Sequence, residues 1–146
     1  MSSKWKLTSS YNPRNQFGNP KITKAPQKRL AFNFSFFTPD KKYNYSGSKD
    51  KKMKLKLLDK IYFLSQKDMV DLLSHDDKYS GLEKIDESEV KIRINPEFKK
   101  ERYDLCENDF WVFQLNKIGR VIGKKYKNIF YIMSIDTKFK QYDHGS

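Results

Sequence analysis

The chain has 146 residues and a formal net charge of +12, from 30 lysines and arginines against 18 aspartates and glutamates. This length suits one domain with a core of its own. The single cysteine excludes an intramolecular disulfide, and no apolar run has the pattern of a signal peptide or a membrane span. We therefore expect a cytoplasmic protein without a membrane partner.

The positive charge is unevenly distributed along the chain. Residues 1–39 carry seven basic and no acidic side chains, and residues 40–67 carry nine basic and three acidic ones. Residues 68–89 reverse the sign with two basic and eight acidic side chains, and residues 90–146 have twelve basic and seven acidic ones. Segregated charge favours a polyanionic partner such as nucleic acid. The alternative is a solvated, lysine-rich surface.

Residues 1–28 are polar, are punctuated by proline and glycine, and show no apolar period. They predict a flexible basic arm in front of a single domain over residues 29–146. Trp5, Tyr11 and Phe17 alternate with cationic residues along this arm. They can stack on bases or pin the arm onto its own domain, and the sequence leaves both possibilities open.

The first predicted element is a strand over residues 30–37. Leu30, Phe32, Phe34 and Phe36 alternate there with smaller or polar residues, as in a half-buried strand.

A helix is predicted over residues 49–64, because Leu57, Ile61 and Leu64 form an apolar stripe at helical spacing. A separate column on this helix is basic and consists of Lys52, Lys56 and Lys60.

A short second helix is predicted over residues 65–73. Ser65 and Asp68 have the spacing of a capping box, and Met69, Leu72 and Leu73 are expected to point inward.

The next segment is expected to begin with an acidic loop over residues 76–89. Val90, Ile92 and Ile94 then alternate with basic residues and predict a second strand, which Asn95 and the following proline end. No element is predicted over residues 97–108.

Three strands are predicted over residues 109–116, 119–126 and 129–136, separated by two-residue turns. Such close spacing indicates antiparallel hairpins and hence a meander. The predicted fold class is therefore α+β, with an N-terminal strand, two helices, and a curled antiparallel sheet ending in a three-strand meander.

The middle strand of this meander carries the main candidate site. Arg120, Lys124 and Tyr126 share one face of it, whereas Val121 and Lys125 share the other. Residues 117–140 carry seven basic groups and one acid, and we expect them to form a firm, solvent-facing platform for phosphates. The predicted nucleic-acid-binding residues are Lys117, Lys125, Lys127, Lys140, Lys52, Lys56, Lys60 and Arg93.

Metal and cofactor sites are not expected. His75, His144 and Cys106 do not have the spacing of a zinc site. Cleavage of RNA needs no metal when the ribose hydroxyl attacks the adjacent phosphate and protein groups neutralise charge and move protons. An arginine with nearby lysine and tyrosine side chains can do this, or can form a passive binding face.

The last third of the chain contains an apolar strand over residues 110–115, the string Gly119-Arg120-Val121-Ile122, an apolar strand beginning at Ile129, and the late aromatic Tyr142. This pattern shows a resemblance to the RelE/ParE superfamily of bacterial toxins. It implies that Arg120 stabilises the phosphate, that Tyr142 assists proton transfer, and that Lys138 occupies the place of a basic residue that is commonly arginine. The catalytic candidates are Arg120, Lys124, Tyr126, Lys138 and Tyr142.

Three hypotheses follow from these patterns. The first is a metal-independent endoribonuclease toxin that acts on RNA or the ribosome, from a bacterial or phage-borne toxin–antitoxin or defence system. The second is a non-catalytic nucleic-acid-binding accessory protein. The third is a basic interaction domain that docks an acidic partner, such as an antitoxin.

Overall fold

The structure is a computed structural model that describes residues 28–45, 51–74 and 81–143. Five strands form one open mixed sheet in the order β1-β5-β4-β3-β2, in which β1 runs parallel to β5 and the other neighbours are antiparallel. The strands are β1 Ala31–Asn33, β2 Glu83–Ile85, β3 Phe110–Gln114, β4 Arg120–Tyr126 and β5 Ile129–Asp136. Three α-helices lie in the described residues, α1 Lys51–Ser65, α2 Met69–Ser74 and α3 Pro96–Glu101. The predicted α+β class is confirmed.

The first strand is shorter than predicted. It ends after Asn33, whose side chain accepts a hydrogen bond from the backbone N–H of Ser35 at 2.8 Å and so starts a turn. Leu30 is buried and Phe32 packs against the core, as the alternation predicts. Phe34 is exposed, because the chain leaves the sheet before it.

Helix α1 confirms the predicted apolar face, which points inward toward the core. Leu57 and Leu64 are buried and Ile61 packs beside them, and Met53 extends the same face by one turn. This face covers one side of the sheet.

Helix α2 begins later than predicted. The hydroxyl of Ser65 donates back to the carbonyls of Ile61 and Tyr62, so Ser65 does not cap α2 and the capping-box prediction is wrong. Asp68 caps instead, because its carboxylate accepts the backbone N–H of Val70 at 2.8 Å. Leu72 is buried and Met69 packs against the core, but Leu73 is exposed.

The predicted second strand over residues 90–94 is wrong. These residues join no sheet, and Val90, Ile92 and Ile94 pack against the sheet face from outside. The strand β2 lies instead within the segment that we expected to be an acidic loop. Asn95 does not simply end an element, because its side chain accepts the backbone N–H of Glu97 at 2.8 Å and caps α3.

The C-terminal meander of β3, β4 and β5 is confirmed, with one irregularity. The register shifts between Ile122 and Gly123, and a Cβ atom at Gly123 would lie 2.1 Å from the carbonyl oxygen of Tyr131. Only glycine allows two backbones to approach this closely.

Both faces of the sheet are covered. The helices α1 and α2 enclose a first core cluster that includes Phe113, Val121 and Ile132. Residues 85–106, which we call the covering segment, and residues 137–143, which we call the C-terminal segment, enclose a second cluster that includes Phe98 and Met133. The predicted arm over residues 1–28 lies almost wholly outside the described residues. No helix in the described part of the chain is long and apolar enough to span a membrane.

Candidate functional site

Arg120, the principal catalytic candidate, is only 2% exposed. Its Nε and Nη2 atoms donate to one carboxylate oxygen of Asp136 at 3.0 and 2.9 Å, and Nη2 also donates to the carbonyl oxygen of Tyr142 at 2.7 Å. The Cζ atom lies 3.6 Å from the centroid of the Tyr142 ring and 5.3 Å from that of Phe139. These contacts direct the charge of Arg120 into the protein.

Asp136 is the register partner of Arg120 on β5 and organises the chain that follows it. Its carboxylate accepts the backbone N–H groups of Lys138, Lys140 and Gln141 at 3.3, 3.2 and 3.0 Å. Between Lys138 and Lys140, Phe139 has a left-handed backbone conformation with a φ of 56°. The ion pair therefore fastens the C-terminal segment to the end of the sheet.

Tyr142 is also buried, and burial raises the pKa of its phenol to about 12. Proton transfer is most efficient when the pKa of the catalytic group lies near the working pH. The environment of Tyr142 therefore does not tune it for acid–base work near pH 7.

Lys124 lies on the same face of β4 as Arg120 and is 1% exposed. Its ammonium group donates to the carboxylate of Glu87 at 3.2 Å and to the backbone carbonyls of Glu107 and Asn108. The pKa of Glu87 is lowered, first by the hydrogen bond that the hydroxyl of Tyr103 donates to it and then by Lys124. Glu87 belongs to the covering segment, so Lys124 is closed off by an acidic group of its own chain.

Lys125 points to the opposite face of β4 and is buried as well. Its ammonium group donates to the carboxylate of Glu107 at 2.7 Å and to the carbonyl of Lys127 at 3.0 Å, and it lies 5.6 Å from the ring centroid of Trp111. Glu107 also accepts the indole N–H of Trp111 at 2.9 Å. Lys125 is thus part of a local network at the edge of the core.

The predicted solvent-facing platform is therefore wrong for Arg120, Lys124 and Lys125. Arg120, Lys124 and Lys125 are enclosed because both faces of the sheet are covered, and each is paired with a carboxylate. Lys117 and Lys127 are exposed but lie in turns at opposite ends of β4.

The other candidates lie on several elements. Tyr126 is half-buried, whereas Lys138 and Lys140 are exposed after β5. Because Arg120 and Asp136 are paired, the turn that holds Lys117 lies at the same end of the sheet as Lys138 and Lys140. The remaining predicted cations are Arg93 on the covering segment and Lys52, Lys56 and Lys60 on α1. Their roles stay predictions.

The outward face of α1 is a surface that the sequence reasoning missed. Leu55, Leu58 and Tyr62 are 62, 63 and 68% exposed. They follow Lys51 at i+4, i+7 and i+11 and so form one row along about two helical turns. We call this row the α1 stripe. The sequence does contain a signal for this surface, because α1 has apolar residues on two faces. The sequence analysis assigned only the inner face, with Leu57, Ile61 and Leu64.

A cavity of about 450 Å³ adjoins the N-terminal end of the α1 stripe. Its walls are mainly apolar, and its lining includes Phe34, Tyr45, Lys51, Lys54, Leu55 and Leu58. We call it the α1 cavity. In residues 28–45, 51–74 and 81–143, no carboxylate forms an ion pair with Lys51 or Lys54.

No family model, no curated protein and no solved structure matches this chain. The described residues also contain no group of three or more histidine, cysteine, aspartate or glutamate side chains placed to hold a metal ion.

Proposed function

We propose that this protein is an interaction domain that docks an acidic, amphipathic segment of a partner protein on the α1 stripe. The observation that carries the proposal is the row of Leu55, Leu58 and Tyr62, each more than half exposed beside a lysine-lined apolar cavity. Single exposed apolar side chains are common, but a contiguous exposed patch marks an interaction surface.

The dimensions of the α1 stripe suit a helical segment. From Leu55 to Tyr62 the stripe runs about 10 Å along the helix axis, and the distance is about 16 Å when Lys51 is included. An amphipathic helix binds such a surface with apolar side chains at i, i+3 or i+4, and i+7. A partner segment of about three turns would cover the stripe.

Charge favours an acidic occupant. Lys51 heads the stripe, and Lys52 and Lys54 flank its first turn, whereas Asp59 is the acidic residue of α1. A second copy docking through the same surface would bring lysines against lysines, which is unfavourable. Residues 1–27 of the same chain carry five basic and no acidic side chains, so charge also opposes docking of this segment. A partner rich in glutamate and aspartate fits best.

An acidic antitoxin is one partner of this kind, and the resemblance to the RelE/ParE toxins implies one. The order of elements is a strand, two helices, the strand β2, the helix α3 and an antiparallel meander. The first strand, the two helices and the meander support this proposal, whereas β2 and α3 between them are not part of what the resemblance implies. The hypothesis of a metal-independent ribonuclease has less support, because Arg120, Lys124 and Tyr142 point into the protein. It stays a prediction.

The docking proposal is tested with peptides of about 12 residues, long enough for three helical turns. One peptide carries leucines at i, i+3 and i+7 with glutamates beside them, and its twin carries lysines in place of the glutamates. We expect the acidic peptide to bind the full chain about tenfold more tightly than the basic twin, with an affinity that falls as salt is raised. Dimerisation through the α1 stripe in analytical ultracentrifugation would refute the choice of occupant.

A second candidate function is binding of single-stranded nucleic acid at the Lys117 end of the sheet. The observation that favours it is Phe139, an exposed aromatic side chain between the exposed Lys138 and Lys140. Aromatic side chains stack on bases while cations contact phosphates. Fluorescence anisotropy with a single-stranded RNA measures it, and the Phe139→Ala variant is expected to bind several-fold more weakly. Equal affinities for both proteins would exclude this surface.

The ribonuclease hypothesis has its own assay, in which the protein is incubated with translating ribosomes. Tyr142→Phe is the suitable variant, because it removes the hydroxyl and keeps the ring that lies against Arg120. The hypothesis expects cleavage by the wild type and its loss in the variant. Cleavage that the variant retains would remove Tyr142 from the mechanism, and absence of cleavage by the wild type would remove the enzyme.

A further inference from the structure

The α1 cavity is built by two segments that are each held in place. One wall is α1 itself, and the other contains Phe34 and Tyr45. The ring of Phe37 lies 5.8 Å from that of Phe34 and 6.2 Å from that of Tyr45, and Phe37 packs against the core. The aromatic wall is therefore anchored through Phe37.

Backbone hydrogen bonds fix the same wall to the sheet. The N–H of Thr38 donates to the carbonyl of Met133 at 2.8 Å, and the N–H of Ile135 donates to the carbonyl of Tyr43 at 2.7 Å. The side chain of Asn44 donates to the carbonyl of Thr38 at 3.0 Å and closes the loop. The cavity thus exists before any ligand binds, which lowers the entropic cost of binding.

The size and the charge of the cavity define what it can hold. At about 450 Å³ it lies within the range of small-ligand pockets, which is about 300–1,000 Å³. An aromatic ring or a leucine side chain fits, because a cavity of about 150 Å³ already holds benzene. Among the described residues of its lining, the charged groups are the ammonium groups of Lys51 and Lys54, and Lys54 lies 4.9 Å from the ring centroid of Tyr45.

We infer that the α1 cavity is an anchor site for one bulky apolar side chain that stands next to a carboxylate. The apolar group enters between Phe34, Tyr45 and Leu58, and the carboxylate meets Lys51 and Lys54. This inference rests on the proposed docking function and specifies the residue type that the partner inserts at the N-terminal end of the α1 stripe. Anchors of this kind, seated in a formed pocket, supply most of the binding energy of an interface.

The test uses phenylbutyrate, an aromatic ring joined to a carboxylate, as a probe. Its matched controls are phenylbutanol, which is neutral, and phenylbutylamine, which is cationic. Chemical shifts of the isotope-labelled full chain are followed during each titration. We expect phenylbutyrate to perturb residues of the cavity and to bind about tenfold more tightly than phenylbutylamine, because two ammonium groups line the site. No perturbation at the cavity, or equal binding of all three compounds, would overturn the inference.

Two variants separate this inference from the docking proposal. Lys54→Met keeps much of the side-chain length and is expected to reduce the preference for phenylbutyrate over phenylbutanol several-fold. Tyr62 lies on the α1 stripe outside the cavity lining. The Tyr62→Ser variant is therefore expected to bind phenylbutyrate as the wild type does and to bind the acidic peptide more weakly.

The two ideas can fail separately. If the acidic peptide binds the α1 stripe but phenylbutyrate neither binds nor competes, the anchor site is refuted and the docking function stands. If phenylbutyrate binds the cavity but no acidic peptide binds the chain, the docking function fails, and the anchor inference that rests on it is overturned although the cavity binds the probe.

Discussion

Arg120 and Asp136 form an ion pair across β4 and β5 that is closed off from solvent, with a shortest distance of 2.9 Å. The aspartate also accepts three backbone N–H groups of the following segment, and the arginine lies against the ring of Tyr142. The pair therefore has a structural role, because it joins the meander to the C-terminal segment.

Removal of Arg120 is expected to destabilise the protein strongly. Arg120→Met leaves Asp136 buried without its counter-charge, and breaking one partner of a buried pair typically costs about 3–5 kcal/mol. Chemical denaturation measures the free energy of unfolding, with Lys117→Met as the control, since that exposed lysine is expected to change stability by less than about 0.5 kcal/mol. If both variants unfold at the same denaturant concentration as the wild type, the pair has no structural role.

Gly123→Ala is expected to be more harmful than Gly119→Ala. A Cβ atom at Gly123 meets the carbonyl oxygen of Tyr131 at 2.1 Å, whereas at Gly119 the nearest atoms are at 3.1 and 3.2 Å. Overpacking of this kind costs about 1–3 kcal/mol or more, because β4 and β5 must separate. Thermal denaturation of the two variants checks the order, and a Gly123→Ala protein as stable as Gly119→Ala would contradict the register described above.

Alkaline pH is expected to destabilise the fold in part through Cys106. Burial raises the pKa of its thiol from 9.0 to about 11. The unfolded chain therefore ionises first, and the stability that the neutral thiol contributes is present below pH 9 and lost as the pH rises toward 11.

The Cys106→Ala variant isolates this contribution. Its free energy of unfolding is expected to fall less steeply over that pH window than that of the wild type, while the two slopes agree near neutral pH. Parallel slopes throughout the alkaline range would show that the thiol is not buried as described. Tyr142, whose pKa is raised by burial to about 12, contributes at higher pH and is unchanged in this variant.

Leu57 and Leu58 are adjacent on α1 but are expected to behave oppositely. Leu57 is buried in the first core cluster, and Leu58 is 63% exposed on the α1 stripe. Leu57→Ala is expected to cost about 2–5 kcal/mol of stability. Leu58→Ala is expected to change stability by less than about 0.5 kcal/mol and to weaken binding of the acidic peptide by several-fold. Unchanged peptide affinity in Leu58→Ala would count against the docking surface.

The sequence predicted the elements that local patterns determine. The meander follows from short turns between apolar runs, and the inner face of α1 follows from the spacing of Leu57, Ile61 and Leu64. Alternation in β4 also assigned Arg120 and Lys124 to one face and Lys125 to the other, as the structure has them.

The misplaced strand shows what alternation alone does not decide. Val90, Ile92 and Ile94 alternate because they lie on the sheet face, and a strand within the sheet gives the same pattern. The actual strand β2 contains charged residues and only one apolar residue, Ile85, so it carries little signal.

Whether a basic side chain is buried or exposed depends on contacts between residues that are distant in sequence. Lys124 meets Glu87 from 37 residues away, and both belong to segments whose packing is set by the second core cluster. Counts of charge along the chain do not show which cations the fold encloses. In the same way, Leu55, Leu58 and Tyr62 were apolar residues without an assigned partner, and only the packing of α1 identified them as a surface.

The most direct test of the docking proposal is a residue-resolved titration of the isotope-labelled full chain with the acidic amphipathic peptide and its lysine twin. The docking proposal predicts that the acidic peptide perturbs residues 51–62, and that the twin binds about tenfold more weakly. Perturbations centred on Lys117 and Lys138 instead of α1, or equal binding of the two peptides, would contradict it.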